Sequence, residues 1–461
     1  MSSKQFGEAK ISSLLFKFSI PVILSMLVGE LYSMVDTFYV GRFVGGEGIG
    51  ALTVVFPLQR ILTAITIMIA VGTATAFSRS IGNDNIKSAK EILQSGFTMV
   101  LAVMLPVALG VFLFRDSIVT IMGAGEAISA MASTYLGTII FGTVFLSITV
   151  FISHTLIALG NTKISIISTS IGAIVNLILD IIFVQNMGMG IQGAAIATAA
   201  SQMIGFGYAF YKYSQIRKTY DISIGLKIKK SLIMPILIVG VSAFIIEAED
   251  GILMGVLSSL LANSAGDQGI VVLGVVSKLY MFLFITIFGI ASAMQPIAAY
   301  NIGAGNFIRL KKLMKKTIVY SIILTSGLWI FMMIFAPYLI GIFIQDNSII
   351  VEATRAFRIM IALFPVISVY YVSIFYFQAR GKAKSSIMIA VLRQLILMIP
   401  VSILLVKGFG MGANGVWLSY PISDILSSLA SYMLIRNEGM EINIAIAKEK
   451  RDTATKGLAL R

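Results

Sequence analysis

Asn176-Leu177-Ile178-Leu179-Asp180 sets a carboxamide and a carboxylate one helical turn apart in a stretch that is otherwise apolar. Asp180 is the only charged side chain between Lys163 and Lys212. That interval holds two membrane crossings of about 20 residues each. An ionisable group in hydrocarbon is costly, so it faces a partner or a water-filled cavity and marks an ion path. Stacked this way, the amide and the carboxylate offer several oxygens to one small cation. The same pair would also serve as a polar bridge between helices, and the spacing alone leaves both readings open.

The rest of the chain has the composition of a membrane protein. Of 461 residues, 57% are hydrophobic and 12% charged, with a mean hydropathy of +0.94. Soluble domains carry about 25% charged residues. The expected class is an all-α integral membrane protein that crosses the bilayer many times. The polar start before Leu14 is short and the apolar run after it exceeds a signal-peptide core, so that run is expected to be a retained first helix. With no cysteine, disulfides, thiolate metal sites and cysteine nucleophiles are excluded. The net charge of +14 does not point to nucleic acid, because Lys and Arg gather in alternate loops rather than along a stripe.

Apolar runs predict twelve transmembrane helices, over 14–40, 50–78, 92–114, 127–157, 164–185, 191–212, 232–262, 269–301, 314–337, 354–379, 386–406 and 412–435. Basic residues precede span 1 (Lys4, Lys10, Lys17) and follow spans 2, 4, 6, 8 and 10, whereas Arg42, Arg115 and Lys407 stand nearly alone on the other side. The positive-inside pattern puts both termini in the cytoplasm of a multi-pass protein of the cell membrane.

The chain also repeats itself. Ile81-Gly82-x-x-Asn85-x-x-x-x-Lys90 returns as Ile302-Gly303-x-x-Asn306-x-x-x-x-Lys311. Ala158-x-Gly160-x-x-Lys163-x-Ser165-Ile166 returns as Ala379-x-Gly381-x-x-Lys384-x-Ser386-Ile387, and Gly188-Met189-Gly190-x-x-Gly193 as Gly410-Met411-Gly412-x-x-Gly415. The first two pairs share one offset, and the third differs from it by a single position. They predict an N-lobe over 1–213, a cytoplasmic linker over 214–230, a C-lobe over 231–436 and a cytoplasmic tail over 437–461. Each lobe holds six helices, the arrangement of a transporter built from two repeats with a substrate path between them.

Val35-Asp36-Thr37-Phe38-Tyr39-Val40-Gly41-Arg42, followed by Phe56-Pro57-Leu58, resembles the first-helix region of the multidrug and toxic compound extrusion (MATE) transporters. So does Gln295-Pro296-Ile297-Ala298-Ala299-Tyr300-Asn301-Ile302-Gly303-Ala304, and the Asn176–Asp180 spacing resembles the N-lobe cation motif of the family's bacterial and archaeal members. The resemblance implies two pseudo-symmetric six-helix lobes around a central V-shaped cavity. It implies an antiporter that expels organic compounds, cationic or amphipathic, against inward Na⁺ or H⁺. By matching position it implies a cation site of Asp36, Asn176, Asp180 and Thr198, with a carbonyl ligand at Ala194, a nearby Tyr135 and a bending proline at Pro21.

Depth along the helices bears on that set independently. Helices rise ~1.5 Å per residue through a core of ~30 Å. Asp36 and Asp180 each lie about five helical turns beyond a cytoplasmic lysine, Lys17 and Lys163 respectively. Tyr135 and Thr198 enter spans 4 and 6 from the opposite side. All four come to a similar depth in the outer half. Two carboxylates together in a low dielectric cannot both stay ionised cheaply and titrate as a coupled pair, so H⁺ or Na⁺ would relieve the repulsion. Oxygen-only ligands suit a hard cation such as Na⁺. No other cofactor is expected.

Further charges lie inside spans. Glu30 in span 1 would either add a third carboxylate to a substrate cavity or pair with a basic residue of another helix. Glu247 and Asp250 in span 7 share a face at i, i+3, and Glu249 lies between them; they would form a second coupling site, an acidic patch facing substrate, or an outer rim. Lys278, Arg393, Arg60 and Asp424 are isolated charges that suit ion pairs or a cavity lining. The lone His154 suits an interfacial role. No G-x-x-x-x-G-K-[ST] loop points to ATP, and no nucleophile–base set points to an enzyme. The expected function is a monomeric, cation-coupled exporter of small organic compounds in contact with membrane lipid. The alternative is a flippase or exporter of lipid-linked saccharides, which would need several cations for a pyrophosphate.

Overall fold

The computed structural model describes residues 5–122, 124, 126–219, 226–343 and 346–459. Lys4 of the N-terminal basic group, residues 220–225 of the expected linker and the last two residues of the tail lie outside them. The described residues form helices joined by short turns: α1 (Gln5–Glu8), α2 (Ile11–Phe43), α3 (Gly46–Gly82), α4 (Ile86–Leu113), α5 (Arg115–Ile121), α6 (Glu126–Ala158) and α7 (Lys163–Asp180). A π-helical turn, Ile181–Asn186, continues α7, and α8 (Gly190–Thr219) follows. Then come α9 (Lys230–Gly303), α10 (Phe307–Gly341), α11 (Asn347–Met360), α12 (Ser368–Arg380), α13 (Ala383–Val391), α14 (Ile399–Ile403) and α15 (Ala413–Ala459). Two more π-helical segments, Leu392–Met398 and Leu404–Gly408, flank α14.

All twelve expected spans are helical, with two corrections to their form. The two spans inside α9 run together and part only at Gly266, whose φ of 62° no helix interior allows. The tenth expected span is broken: α11 and the segment Phe364–Arg380 meet at a bend of 43°. Pro365 enters the short 3-10 turn Phe364–Ile367 just after the break, where a proline suits the first turn of a helix and cannot continue the preceding one. By length and apolarity nine helices among the described residues could cross a membrane, ten if the bent pair counts as one. The stretches of α8 and α15 that complete the twelve are richer in Gly, Ala, Ser and Gln or Tyr.

The chain divides into two compact units. The first holds 1–5, 20–81 and 85–248; the second holds 6–19, 82–84 and 249–461. Helix α2 is therefore shared, and Pro21 falls at the second position of the first unit's portion. In the second unit the N-terminal segment is tied down by its own backbone: the Phe6 carbonyl accepts from Asn301 Nδ2 at 3.0 Å and Arg309 Nε at 2.8 Å, and the Phe6 ring is fully buried against Phe18 and Tyr300.

The sequence repeats are repeats of local structure. Asn85 caps α4 by accepting the Ser88 N–H at 3.0 Å, and Asn306 caps α10 by accepting the Arg309 N–H at 3.1 Å. Gly160 and Gly381 both end helices at positive φ, as C-terminal glycines do. In both Gly-Met-Gly copies the glycines sit at positive φ, 61° and 59° in the first and 65° and 55° in the second. Each copy follows a π-helical turn. What recurs along the chain is a set of helix ends, each with a stated reason for its residue.

Within the first unit, α3 and the start of α9 touch backbone to backbone. A Cβ on Gly72 would sit 2.1 Å from the Ile236 carbonyl oxygen, and one on Gly240 would sit 1.9 Å from that of Met68. Small residues at such contacts are how helices associate closely in lipid, where apolar burial gives no drive. Gly240→Ala is expected to force the pair apart and destabilise the unit by about 1–3 kcal/mol, the usual cost of overpacking. Thermal unfolding of the purified protein in detergent checks this, and an unchanged midpoint would remove the contact from the packing core.

Candidate functional site

In the first unit a polar cluster lies between α2, α6, α7 and α8. Asp36 comes from α2, Tyr135 from α6, Asn176 and Asp180 from α7, and Thr198 from α8. Asn176 and Asp180 are fully buried, and Asp36, Tyr135 and Thr198 nearly so. The Asn176 amide donates to the Thr198 hydroxyl at 3.3 Å. The Asp36 carboxylate and the Tyr135 hydroxyl also approach Thr198. Asp36 and Asp180 lie within electrostatic reach of each other. The structure thus brings together five residues that the sequence scatters over four helices. Ala194 lies one turn before Thr198 on α8, fully buried.

The hydrogen-bonding account of this cluster does not close. Both carboxylate oxygens of Asp180, Oδ1 of Asp36 and Oδ1 of Asn176 are buried and receive no hydrogen bond from the described chain. Buried acceptors are almost always satisfied, and each specific exception calls for a reason. Four acceptor oxygens facing a shortage of donors describe a place where a proton or a hard cation lowers the energy. The π-helical turn begins at the residue after Asp180. Such turns widen a helix locally and recur at functional sites.

Two residues of the cluster escape a reading by spacing alone. Tyr32 lies one turn before Asp36 on α2, and its buried hydroxyl approaches Thr198 and Ser201. Ser201 lies just under one turn after Thr198 on α8 and donates to the Thr198 carbonyl at 2.8 Å. The available signal was the i−4 and i+3 spacing from residues already singled out.

Several of the other charges meet defined partners. In the first unit Arg60 on α3 lies 3.4 Å from Glu30 and 3.8 Å from Glu247, with its guanidinium over the Phe56 ring. In the second unit Arg393, within the π-helical segment, donates from Nε to Asp424 at 2.8 Å and from Nη2 to the Tyr280 hydroxyl at 2.5 Å. Both partners of that ion pair are buried. Asp250 accepts from the Gln394 amide at 3.0 Å. Lys278 lies 5.9 Å from the centre of the Phe343 ring. Glu247 belongs to the first unit and Asp250 to the second. Between them Glu249 is the buried acid of this helix, and its Oε2 receives no hydrogen bond from the described chain. Sequence offered no way to choose it over its two neighbours.

The family model for MatE matches residues 21–182 and 252–404. Over 431 residues the chain is 25% identical to the multidrug export protein MepA of Staphylococcus aureus, covering 93% of this chain and 94% of that one. It is 23% identical over 436 residues to an FAD transporter of Shewanella oneidensis, covering 93% and 95%. Among solved structures, a crystal structure of MATE in complex with MaD3S superposes with a TM-score of 0.90 at 22% identity, covering 97% of this chain and 99% of the other. A superfamily transporter from Pyrococcus furiosus, described as having a binding pocket of reversed polarity, gives 0.89 at 22% identity, covering 96% and 99%. With the family model matching more than half its residues, the chain belongs to the MatE family, and it is a membrane transporter rather than an enzyme.

Proposed function

We propose that the protein is a cation-coupled antiporter of the cell membrane that exports small organic compounds, cationic and amphipathic ones foremost, by alternating access, with both termini in the cytoplasm. The observation that carries the coupling is the group of buried oxygens at Asp36, Asn176 and Asp180 that no donor of the described chain satisfies. In this reading Asp180 and Asp36 take up Na⁺ or H⁺, Asn176 and Thr198 add an amide oxygen and a hydroxyl, and Tyr32 and Tyr135 close the cluster. Substrate class rests on likeness to the multidrug export protein of Staphylococcus aureus. Pro21, which removes one backbone hydrogen bond from the interior of α2, would let that helix bend as the charge at Asp36 changes. The Shewanella oneidensis relative favours a second reading, export of an organic anion of the dinucleotide class.

Everted vesicles carrying the protein separate these readings. An organic cation dye accumulates under an imposed Na⁺ or H⁺ gradient if the first holds, and flavin dinucleotide accumulates instead if the second does. Asp180→Asn keeps the shape and removes the charge that a driving cation neutralises. It is expected to reduce gradient-driven dye transport to background with normal membrane insertion, since a neutral amide is cheaper in lipid than a carboxylate. Transport at the wild-type rate would place coupling elsewhere.

Thr198→Val distinguishes the ions. The substitution is nearly isosteric and removes one oxygen. Na⁺ needs several converging oxygens, so Na⁺-driven transport is expected to fall about tenfold or more, in line with the loss of a ligand-shell group. A proton needs only a carboxylate, so H⁺-driven transport is expected to survive. Equal losses under the two gradients would assign Thr198 to packing rather than to the ion.

A further inference from the structure

The first unit also has a cleft built on residues either side of Tyr135 and so on another face of α6 from the buried cluster. It is a cleft of about 610 Å³ where the end of α4 and the start of α5 meet α6, lined by Phe112, Arg115, Asp116, Ser133, Thr134 and Phe141 among others. That volume falls in the range of ligand pockets. By the alternation of basic loops the cleft lies toward the membrane face opposite the lysine-rich side, where Arg115 is one of few cations. Phe141 in its lining, and Leu109, Leu113 and Phe114 close to Phe112 along the chain, are each more than half exposed, which is apolar surface suited to acyl chains.

Two opposite charges are held apart inside it. Arg115 donates from Nη1 to the Phe112 carbonyl at 3.0 Å and stacks its guanidinium 5.0 Å from the Phe112 ring centre. The Asp116 carboxylate accepts the Ser133 hydroxyl. Each group is thus fixed by an uncharged partner. Arg115 keeps donors beyond the one it spends, in a fork that matches a phosphate.

The second unit shows which part of this is ordinary helix capping. Met333 is the counterpart of Phe112 at the offset of the sequence repeats, and its carbonyl also accepts from an arginine, Arg358 Nε, at 3.0 Å. Capping that carbonyl is therefore common to the two units. The difference is in where the arginine starts. Arg358 is the counterpart of Gly137 at the same offset, so its own stem rises from the position that glycine leaves bare in the first unit. There a Cβ on Gly137 would come within 2.9 Å of Arg115 Cδ. The bare glycine, the acid beside the arginine and the hydroxyls of α6 are the features that the capping role does not use.

We propose that this cleft seats the headgroup of a zwitterionic phospholipid, with the Arg115 guanidinium on the phosphate and the Asp116 carboxylate on the ammonium. A lone phosphate would meet Asp116 as a repulsion. A headgroup that carries both signs turns the same acid into a partner, and the exposed apolar residues receive the chains.

The test uses the purified full-length protein in detergent, titrated with dioleoyl phosphatidylethanolamine, with dioleoyl phosphatidylglycerol and with chain-free glycerophosphoethanolamine, and read by native mass spectrometry and thermal shift. The ethanolamine lipid is expected to bind tightest of the three. Arg115→Gln should weaken it about tenfold, as the loss of a charge-assisted hydrogen bond does. Gly137→Ala should weaken it as well by displacing the Arg115 stem while keeping every charge. Asp116→Asn retains an acceptor for Ser133 and should erase the preference for ethanolamine over glycerol. Equal binding of the two lipids to the unaltered protein, or unchanged binding in both Arg115→Gln and Gly137→Ala, would overturn the assignment. Glycerophosphoethanolamine binding as tightly as the lipid would assign the cleft to a soluble phosphate and overturn it too.

Discussion

A carboxylate buried in an apolar interior must be neutralised, and the placement of Asp180 makes that requirement the organising constraint of the first unit. Desolvation of an ionised carboxylate is repaid only by a partner charge, several donors or a proton. The chain supplies none of these in full. Asp180 is fully buried, no Lys or Arg among the described residues pairs with it, and the neighbouring charge is a second acid, Asp36. Helices α2, α6, α7 and α8 nevertheless pack so that both acids lie inside. Their packing therefore fixes a charge deficit at one place, and transport by an ion that relieves it is a natural use of such a deficit.

The two units rest on the same inventory of helix ends. Asparagine caps at Asn85 and Asn306, left-handed glycines at Gly160 and Gly381, and paired Gly-Met-Gly turns occur at a nearly constant offset. These positions fix where each helix starts, stops and turns, and they leave the helix interiors free to differ. That freedom appears at the C-terminal ends of α4 and α10. There the corresponding carbonyl is capped by arginines that start from different positions, and in the first unit the position left bare by Gly137 admits the Arg115 stem.

The fold was legible because its signals are physical and local. Runs of apolar residues located the twelve helical spans, alternate basic loops suggested their orientation, and depth counting brought Asp36, Tyr135, Asp180 and Thr198 to one level. What sequence did not show has a common cause. A π-helical turn shifts the hydrogen-bond ladder without a compositional mark, so the segments at Ile181–Asn186 and Leu392–Met398 were invisible. The break after Met360 depends on a proline beyond it, in a stretch whose hydropathy is unbroken. Glu247, Glu249 and Asp250 are neighbouring acids, and which one turns inward is decided by the helices packed around them. The pairing of Arg60 with Glu30 and Glu247, and of Arg393 with Asp424, likewise depends on tertiary neighbours.

The ion pair of the second unit differs in kind from the unpaired acids of the first unit's cluster. In the second unit Arg393 pairs with Asp424 and donates to Tyr280, so the chain brings its own cation to that buried acid, while Oε2 of the buried Glu249 receives no hydrogen bond from the described chain. A guanidinium keeps its charge at any physiological pH and is tethered by its stem, so it cannot leave. Removing either partner of such a pair would strand the other at high cost, which makes the pair a fixed part of the fold. In the first unit Arg60 answers Glu30 and Glu247, and no Lys or Arg among the described residues answers Asp36 and Asp180. A tethered cation can stabilise but cannot be exchanged across a membrane. An unanswered pair of acids can be neutralised reversibly, first by one ion and then by another. The unanswered acids of the first unit therefore keep a chemical freedom that the Arg393–Asp424 pair lacks.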